Sequence, residues 1–239
     1  MALSFSGTTD AFDTGVSTGA NFSTGDFTLA AWVTSSSSGT VVAIGKNSGS
    51  GDSYWFGLAG GKLSCSVNAT VTEVGNTVND GNWHSIVATR ISGTLTIYSD
   101  GTARNSGTAN GSASPGNNLY IAKFGSGAAF NWPGSMAEVA VWSVGLDAAE
   151  AASLGKGVCP ALIRTASLVD YWPLIGRNTV DNGIKGAGSG SYAGSPARVD
   201  HPRVMWRRRR NTIAMAAAAG GGSIIPVLYR QRQMQGMAA

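Results

Sequence analysis

Alternating apolar and polar positions run through the first two-thirds of this chain. In "FTLAAWV", Phe27, Leu29, Ala31 and Val33 alternate with Thr28, Ala30 and Trp32, the period-two pattern of a β-strand. "KLSCSV" sets Leu63, Cys65 and Val67 against Lys62, Ser64 and Ser66. The Gly60-Gly61 pair ahead of it reads as a two-residue hairpin turn leading from "YWFGLA". "WHSIVATR" and "TLTIYSDGTAR" continue the pattern, with Asp100-Gly101 as a second hairpin signal. "NLYIAKFG" and "GSMAEVAVWSV" follow after loops rich in Gly, Asn and Ser. Short strands with turns at regular spacing predict an all-β sandwich or jelly roll of two antiparallel sheets.

One helix interrupts them. In "GLDAAEAASLGKG", Asp147 with Glu150 three residues later forms a capping box, the alanines favour helix, and Gly155 or Gly157 ends it. Beyond it, "SLVDYWPLIG" predicts a late strand over 166–174, with Leu168, Asp170 and Trp172 on one side and Val169 and Tyr171 on the other. The pattern places a jelly-roll domain at 1–175 and a Gly/Ser/Pro-rich linker at 176–204. A basic C-terminal arm on an Ala/Gly tether follows at 205–239.

Composition agrees with many short strands and tight turns: 13% of residues are charged and there are 34 glycines. Charge is uneven. Residues 1–160 hold six Lys/Arg against ten Asp/Glu, and residues 161–239 hold eleven against three. An acidic body with a basic tail predicts a tail that meets something negative. Cys65 and Cys159 lie far apart and outside any metal-ligand spacing, so two buried free thiols are expected. The opening "MALSFSGTTD" has neither a basic start nor an apolar run, so no secretory signal is expected there.

Few residues could carry covalent chemistry. Glycoside hydrolysis needs two carboxylates on one face, and "EVAVWS" after Glu138 offers no second acid at that spacing. Glu138 is therefore expected as a structural polar residue at the sheet edge. Trp83 is expected in the core, His84 as a hydrogen-bonding loop residue, and His201 as a loop residue ahead of Pro202. Two histidines and two distant cysteines make no zinc set, and no Gly-rich loop joins a strand to a helix as a phosphate cradle would. The expectation is a protein that is not an enzyme.

Several segments together resemble a family: "FSGTTDAFDTG", "FTLAAWV", "DGNWHSIVATRISGTLTIYSDG" and "GSMAEVAVWSVGLDAAEAASLGKG". They are similar to the concanavalin A-like jelly roll of laminin G-like domains over roughly residues 3–157. The resemblance implies that fold and a lectin-like surface. Relatives often carry an Asp before the Glu of the last strand, where it helps to hold calcium; here Ala137 stands in that place. Asp10 is left as a lone calcium candidate, and one carboxylate falls short of the six to eight oxygens calcium takes, so no cofactor is expected. The C-terminal third resembles laminin G-like proteins of tailed phages and prophages.

Sugars stack on aromatic rings and bond to Asn and Asp in loops, so "DSYWF" (Asp52, Tyr54, Trp55) and "FNWPG" (Asn131, Trp132) are the carbohydrate-binding candidates. In the tail, Arg207, Arg208, Arg209 and Arg210 precede a tether and an apolar stretch of Ile224, Ile225, Val227, Leu228 and Tyr229. No aromatic-lined groove or helix motif accompanies the arginines, so nucleic acid is not the expected partner. The uncharged run 212–228 is short and broken by glycine and proline, so a membrane anchor is not expected either. The tail reads as an assembly arm that adds to a neighbour's sheet edge or lies in a groove, its arginines pairing with an acidic surface.

These readings lead to a non-enzymatic structural protein of a phage-like particle, either a capsid decoration or a tail-associated subunit. It would be made in the host cytoplasm, located in the virion, and docked on other virion proteins or in a homo-oligomer at the capsid surface. The alternative is a carbohydrate-binding lectin module whose partner is a glycan, and a glycoside hydrolase is the less favoured third reading.

Overall fold

The computed structural model describes residues 1–47, 52–125, 130–176 and 183–205, with residues 73–77 described for backbone alone. The chain forms β1 (Ala2–Ser6), β2 (Ala11–Asp13), β3 (Phe27–Val33), β4 (Val41–Lys46) and β5 (Tyr54–Ala59). Next come β6 (Lys62–Val67), β7 (Thr70–Thr77), β8 (His84–Ile91), β9 (Thr94–Ser99) and β10 (Thr102–Thr108). The short β11 (Tyr120–Ile121) and the long β12 (Pro133–Trp142) precede the helix α1 (Ala148–Gly155). Then follow β13 (Leu168–Trp172), β14 (Ser191–Ala193) and β15 (Ala197–Val199).

The expected turns are where the sequence puts them. Gly60 and Gly61 both have positive φ, as do Asp100 and Gly101, the geometry of a type I′ hairpin. The capping box is complete: Asp147 accepts from the Glu150 amide, and Glu150 accepts from the Asp147 amide.

Two antiparallel sheets result. The first runs β10-β9-β8-β3-β12-β1-β15, with β13 paired to the far half of β12, and the second runs β14-β2-β11-β4-β5-β6-β7. Between them lies the main core, in which Phe27, Leu29 and Val33 of β3 meet Tyr54, Phe56 and Leu58 of β5. A second core covers the outer face of the first sheet, where Leu146, α1 and the turn after it pack on Ala30, Val87, Trp142 and Tyr171. Among the described residues no helix covers the outer face of the second sheet.

The C-terminal third differs from expectation. Residues 176–204 read as a linker, yet β14 pairs with β2 and β15 with β1, so this stretch adds an edge strand to each sheet. Its glycines serve close approach: a Cβ on Gly190 would collide with the Phe12 ring, and one on Gly183 with the Asp170 carboxylate. In β13 the expected alternation fails, because a bulge opposite Val141 and Trp142 leaves Val169 unpaired. Leu168 and Tyr171 then join the second core, while Trp172 faces the main one. The assembly-arm residues Arg207–Arg210, Ile224, Ile225, Val227, Leu228 and Tyr229 lie outside the described residues.

Candidate functional site

A cross-strand row spans the outer face of the second sheet. Strand registers align Ser191, Asp13, Tyr120, Gly45, Trp55, Ser66 and Val71. The neighbours of these residues along each strand, Phe12, Ile121, Ile44, Phe56, Cys65 and Val67, point into the main core. Strand alternation therefore turns Asp13, Tyr120 and Trp55 outward. Trp55 and Tyr120 are half-buried, and glycine stands between them.

The chain after β11 crosses this row. A Cβ on Gly45 would sit 2.9 Å from the Lys123 carbonyl and 3.0 Å from the Phe124 ring, so only glycine lets the loop lie this close to the sheet. Phe124 meets Phe130 with ring centroids 6.3 Å apart, and Lys123 lies over the Tyr120 ring at 5.0 Å. Phe130 is 48% exposed and has a φ of +59°. A bulky aromatic in the left-handed region is an outlier, and such strain gathers at functional sites. Its carbonyl accepts from the Val42 amide, which fixes the loop end to β4.

Polar groups complete the face. Asn118 donates to both Asp13 oxygens at 3.0 and 3.2 Å, and the Gly15 amide donates to Asp13 Oδ1. Burial raises the Tyr120 hydroxyl above its ordinary value, and the neighbouring Asp13 carboxylate adds to this, so the phenol stays a donor. The face thus offers aromatic rings, a carboxylate–amide pair and a lysine, a set suited to a neutral polyhydroxylated ligand.

The five expected sugar residues divide. Trp55 belongs to this face. Asp52 is half-buried, with a φ of +44°, in the turn before β5. Tyr54 is wholly buried and donates to the Ala20 carbonyl, because alternation puts it on the core side. Trp132 is also wholly buried, its indole donating to the Thr34 carbonyl. Neither ring is available to stack on a sugar. Asn131 is 8% exposed and donates to the Thr8 carbonyl, tying the loop before β12 to the β1–β2 turn. The sequence reading missed Tyr120, Phe130, Asp13 and Asn118; "NLYIAKFG" looked like one strand, whereas only Tyr120–Ile121 pair.

The calcium candidate is already committed elsewhere. Asp10 is 8% exposed and accepts from the Ser6 and Ser195 amides at 2.9 and 3.0 Å, tying two turns together. Among the described residues no three metal-ligating side chains gather. Cys65 and Cys159 are buried and free, and burial pushes both thiols up.

The remaining titratable groups hold the fold. His84 bonds Asp100 at 2.8 Å and Asp80 at 3.0 Å, clamping the β7–β8 turn to the β9–β10 turn. Burial acts to lower the histidine, but the two aspartates outweigh it and raise it; hydrogen bonds from Asn82 and His84 pull Asp80 well down. Trp83 beside it is half-buried at the turn rather than in the core. Glu138 lies at a bulge in a central strand instead of the sheet edge, 1% exposed and bonded to Tyr171. A carboxylate so enclosed is out of a substrate's reach.

Residues 6–152 match the laminin G-type family profile described as the concanavalin A-like lectin/glucanases superfamily. Among curated proteins none matches the chain. A Bacteroides ovatus protein with a provisional carbohydrate-binding assignment superposes with a TM-score of 0.67 at 21% identity, covering 84% of this chain. The chain spans 60% of the length of that protein. A heptameric SAP-like pentraxin from Limulus polyphemus gives 0.51 at 14% identity, over 64% of this chain and 81% of the pentraxin. Domain 4 of AbnA, a GH43 extracellular arabinanase from Geobacillus stearothermophilus, in complex with arabinotriose, gives 0.50 at 14% identity. That match covers 64% of this chain and 76% of the other.

Proposed function

We propose that this chain, which belongs to the concanavalin A-like lectin/glucanases superfamily, is a non-enzymatic carbohydrate-binding module. The ligand lies on the open face of the second sheet, against Trp55, Phe130 and Tyr120, and bonds to Asp13 and Asn118. The observation that carries this reading is Phe130, held 48% exposed on left-handed backbone beside the only sheet face that α1 and its turn leave bare among the described residues. Two of the similar folds point the same way: one carries a carbohydrate-binding assignment and the other was solved with an arabinose oligomer. Fold likeness alone does not transfer a ligand, so the residues of the face bear the argument. The burial of Glu138, 1% exposed, supports the non-enzymatic reading.

The test is a glycan array probed with the full chain, followed by calorimetry on any hit. Trp55→Ala and Phe130→Ala are each expected to weaken binding about tenfold or more, as loss of an aromatic contact of about 1.5 kcal/mol implies. Full-strength binding by the double variant would remove the site from this face. A docking role on a phage-like particle rests on the contrast between the acidic body and the basic C-terminal third. Sedimentation of the protein with such particles would test it separately, and a virion location would be compatible with sugar binding.

A further inference from the structure

Lys46 ends β4 with a charged side chain that is 0% exposed, and the sugar face does not touch it. It pairs with Tyr54 across β5, and Tyr54 faces the main core. Alternation therefore turns Lys46 inward, where Gly45 one residue earlier turns outward. A buried ammonium is costly unless each of its hydrogens finds an acceptor. Here all three do. Nζ donates to the Ser17 carbonyl at 2.7 Å, to the Pro115 carbonyl at 2.9 Å and to Asn21 Oδ1. Three donors meet three groups that only accept.

The acceptors come from two stretches of chain, the β2–β3 connection and the β10–β11 connection. Backbone bonds join these at two places. The Phe22 amide donates to the Ala113 carbonyl and the Leu119 amide to the Val16 carbonyl, both at 2.8 Å. Arg90 of β8 grips them again, donating to the Ser23 and Gly25 carbonyls on one and the Gly111 carbonyl on the other.

Between the ties at Ala113 and Leu119, side chains hold residues 114–118. Ser114 Oγ accepts from the Ser23 amide at 2.8 Å. Pro115 has no amide hydrogen to give, and its carbonyl goes to Lys46. Asn117 donates to the Asn47 carbonyl at 2.7 Å, beside Lys46 in sequence. Asn118 then donates to both Asp13 oxygens on the outer face. One short turn thus has its Pro115 carbonyl fixed from inside the sandwich and its Asn118 side chain delivered outside.

We propose that Lys46 is a positioning residue of the sugar face: its buried ammonium fixes the Pro115 carbonyl and so keeps Asn118, three residues on, bonded to Asp13. This rests on the sugar reading for the ligand, and on the hydrogen bonds alone for the link to Asn118. Without the ammonium, buried carbonyl oxygens lose their donor. The turn then gains by moving out to water, which carries Asn118 off Asp13. Arg90 keeps its grip on both connections, so the sandwich stays joined.

Lys46→Met keeps much of the length and removes the donors. NMR of the nitrogen-15-labelled full chain reads the Asn118 side-chain amide, assigned by its loss in Asn118→Ala. In Lys46→Met these signals should move towards those of a solvent-exposed asparagine, with Ile86 and Val87 of β8 unshifted. A role in stability alone would lower the melting temperature and leave the Asn118 signals in place. Calorimetry with a glycan hit reads the consequence. Lys46→Met and Asn118→Ala should each weaken binding about fivefold or more, as loss of one hydrogen bond implies. The double variant should bind no more weakly than Asn118→Ala, since both act through one group. Unmoved Asn118 signals in folded Lys46→Met, or losses that multiply in the double variant, would overturn the role. Where Lys46→Met does not fold, Lys46→Gln, which keeps two amide hydrogens for the carbonyls, is read the same way. The NMR arm needs no ligand. Displaced Asn118 signals with no glycan bound by the wild type would sink the sugar reading and leave Lys46 as the holder of Asn118.

Discussion

Trp55 and Trp132 carry similar local signals and end in opposite places. Trp55 sits on the outward side of β5 between Gly45 and Ser66, while Trp132 fills the main core with its indole bonded to Thr34. Replacing Trp132 by alanine should lower the unfolding free energy by about 3–5 kcal/mol, the cost of a large cavity in a packed core. Trp55→Ala should cost about 1 kcal/mol or less, as for a surface change, and urea unfolding of both variants checks the contrast. Equal losses would mean that Trp55 is core as well. Alternation in "YWFGLA" already separates Tyr54 and Phe56 from Trp55, so this side of the site was legible. What alternation omits is which face gets covered. Nothing in "FNWPG" announces that Phe130 takes left-handed backbone and stays out while Trp132, two residues on, goes in.

At the scale of elements, patterns that depend on neighbours in sequence were readable and patterns that depend on distant partners were not. The type I′ hairpins, the capping box and the strand "FTLAAWV" need only local spacing. β14 and β15 are three residues each, and they exist because β2 and β1 offer free edges far away in sequence. Their glycine-rich surroundings looked like a linker for the same reason that they fit: glycine allows backbone to pass close to Phe12 and Asp170. The His84 clamp is likewise a link between two turns, and it makes a signed pH prediction. Because the folded-state value of His84 is raised, its contribution is whole below about pH 6.5 and fades as pH rises through that raised value. Asp80 is held down, so its share is present above about pH 3.9 and is lost as pH falls. Thermal unfolding followed against pH should therefore show a decline on the alkaline side of neutrality that is shallower in His84→Gln. An unchanged slope would assign that decline to other groups.

For the whole molecule, the two sheet faces divide the work. The first sheet carries α1 and the second core, against which Val204 also packs. The second has, among the described residues, no helix on its outer face, which bears Trp55, Tyr120 and the Asp13–Asn118 pair and where the crossing loop brings in Phe130. Among the described residues no helix is long and apolar enough to cross a membrane. The overall architecture was legible because alternation and turn spacing recur along the chain, whereas the division of faces depends on which sheet the helix selects. The central claim is that the bare face holds sugar, and an NMR titration of the labelled full chain with a glycan hit, or with arabino-oligosaccharides, tests it most directly. The account predicts saturable shifts at the Trp55 indole, Tyr120, Phe130 and Asn118, with the Trp142 indole under α1 unmoved. Saturable shifts confined to the α1 face, or none with any glycan, would contradict it.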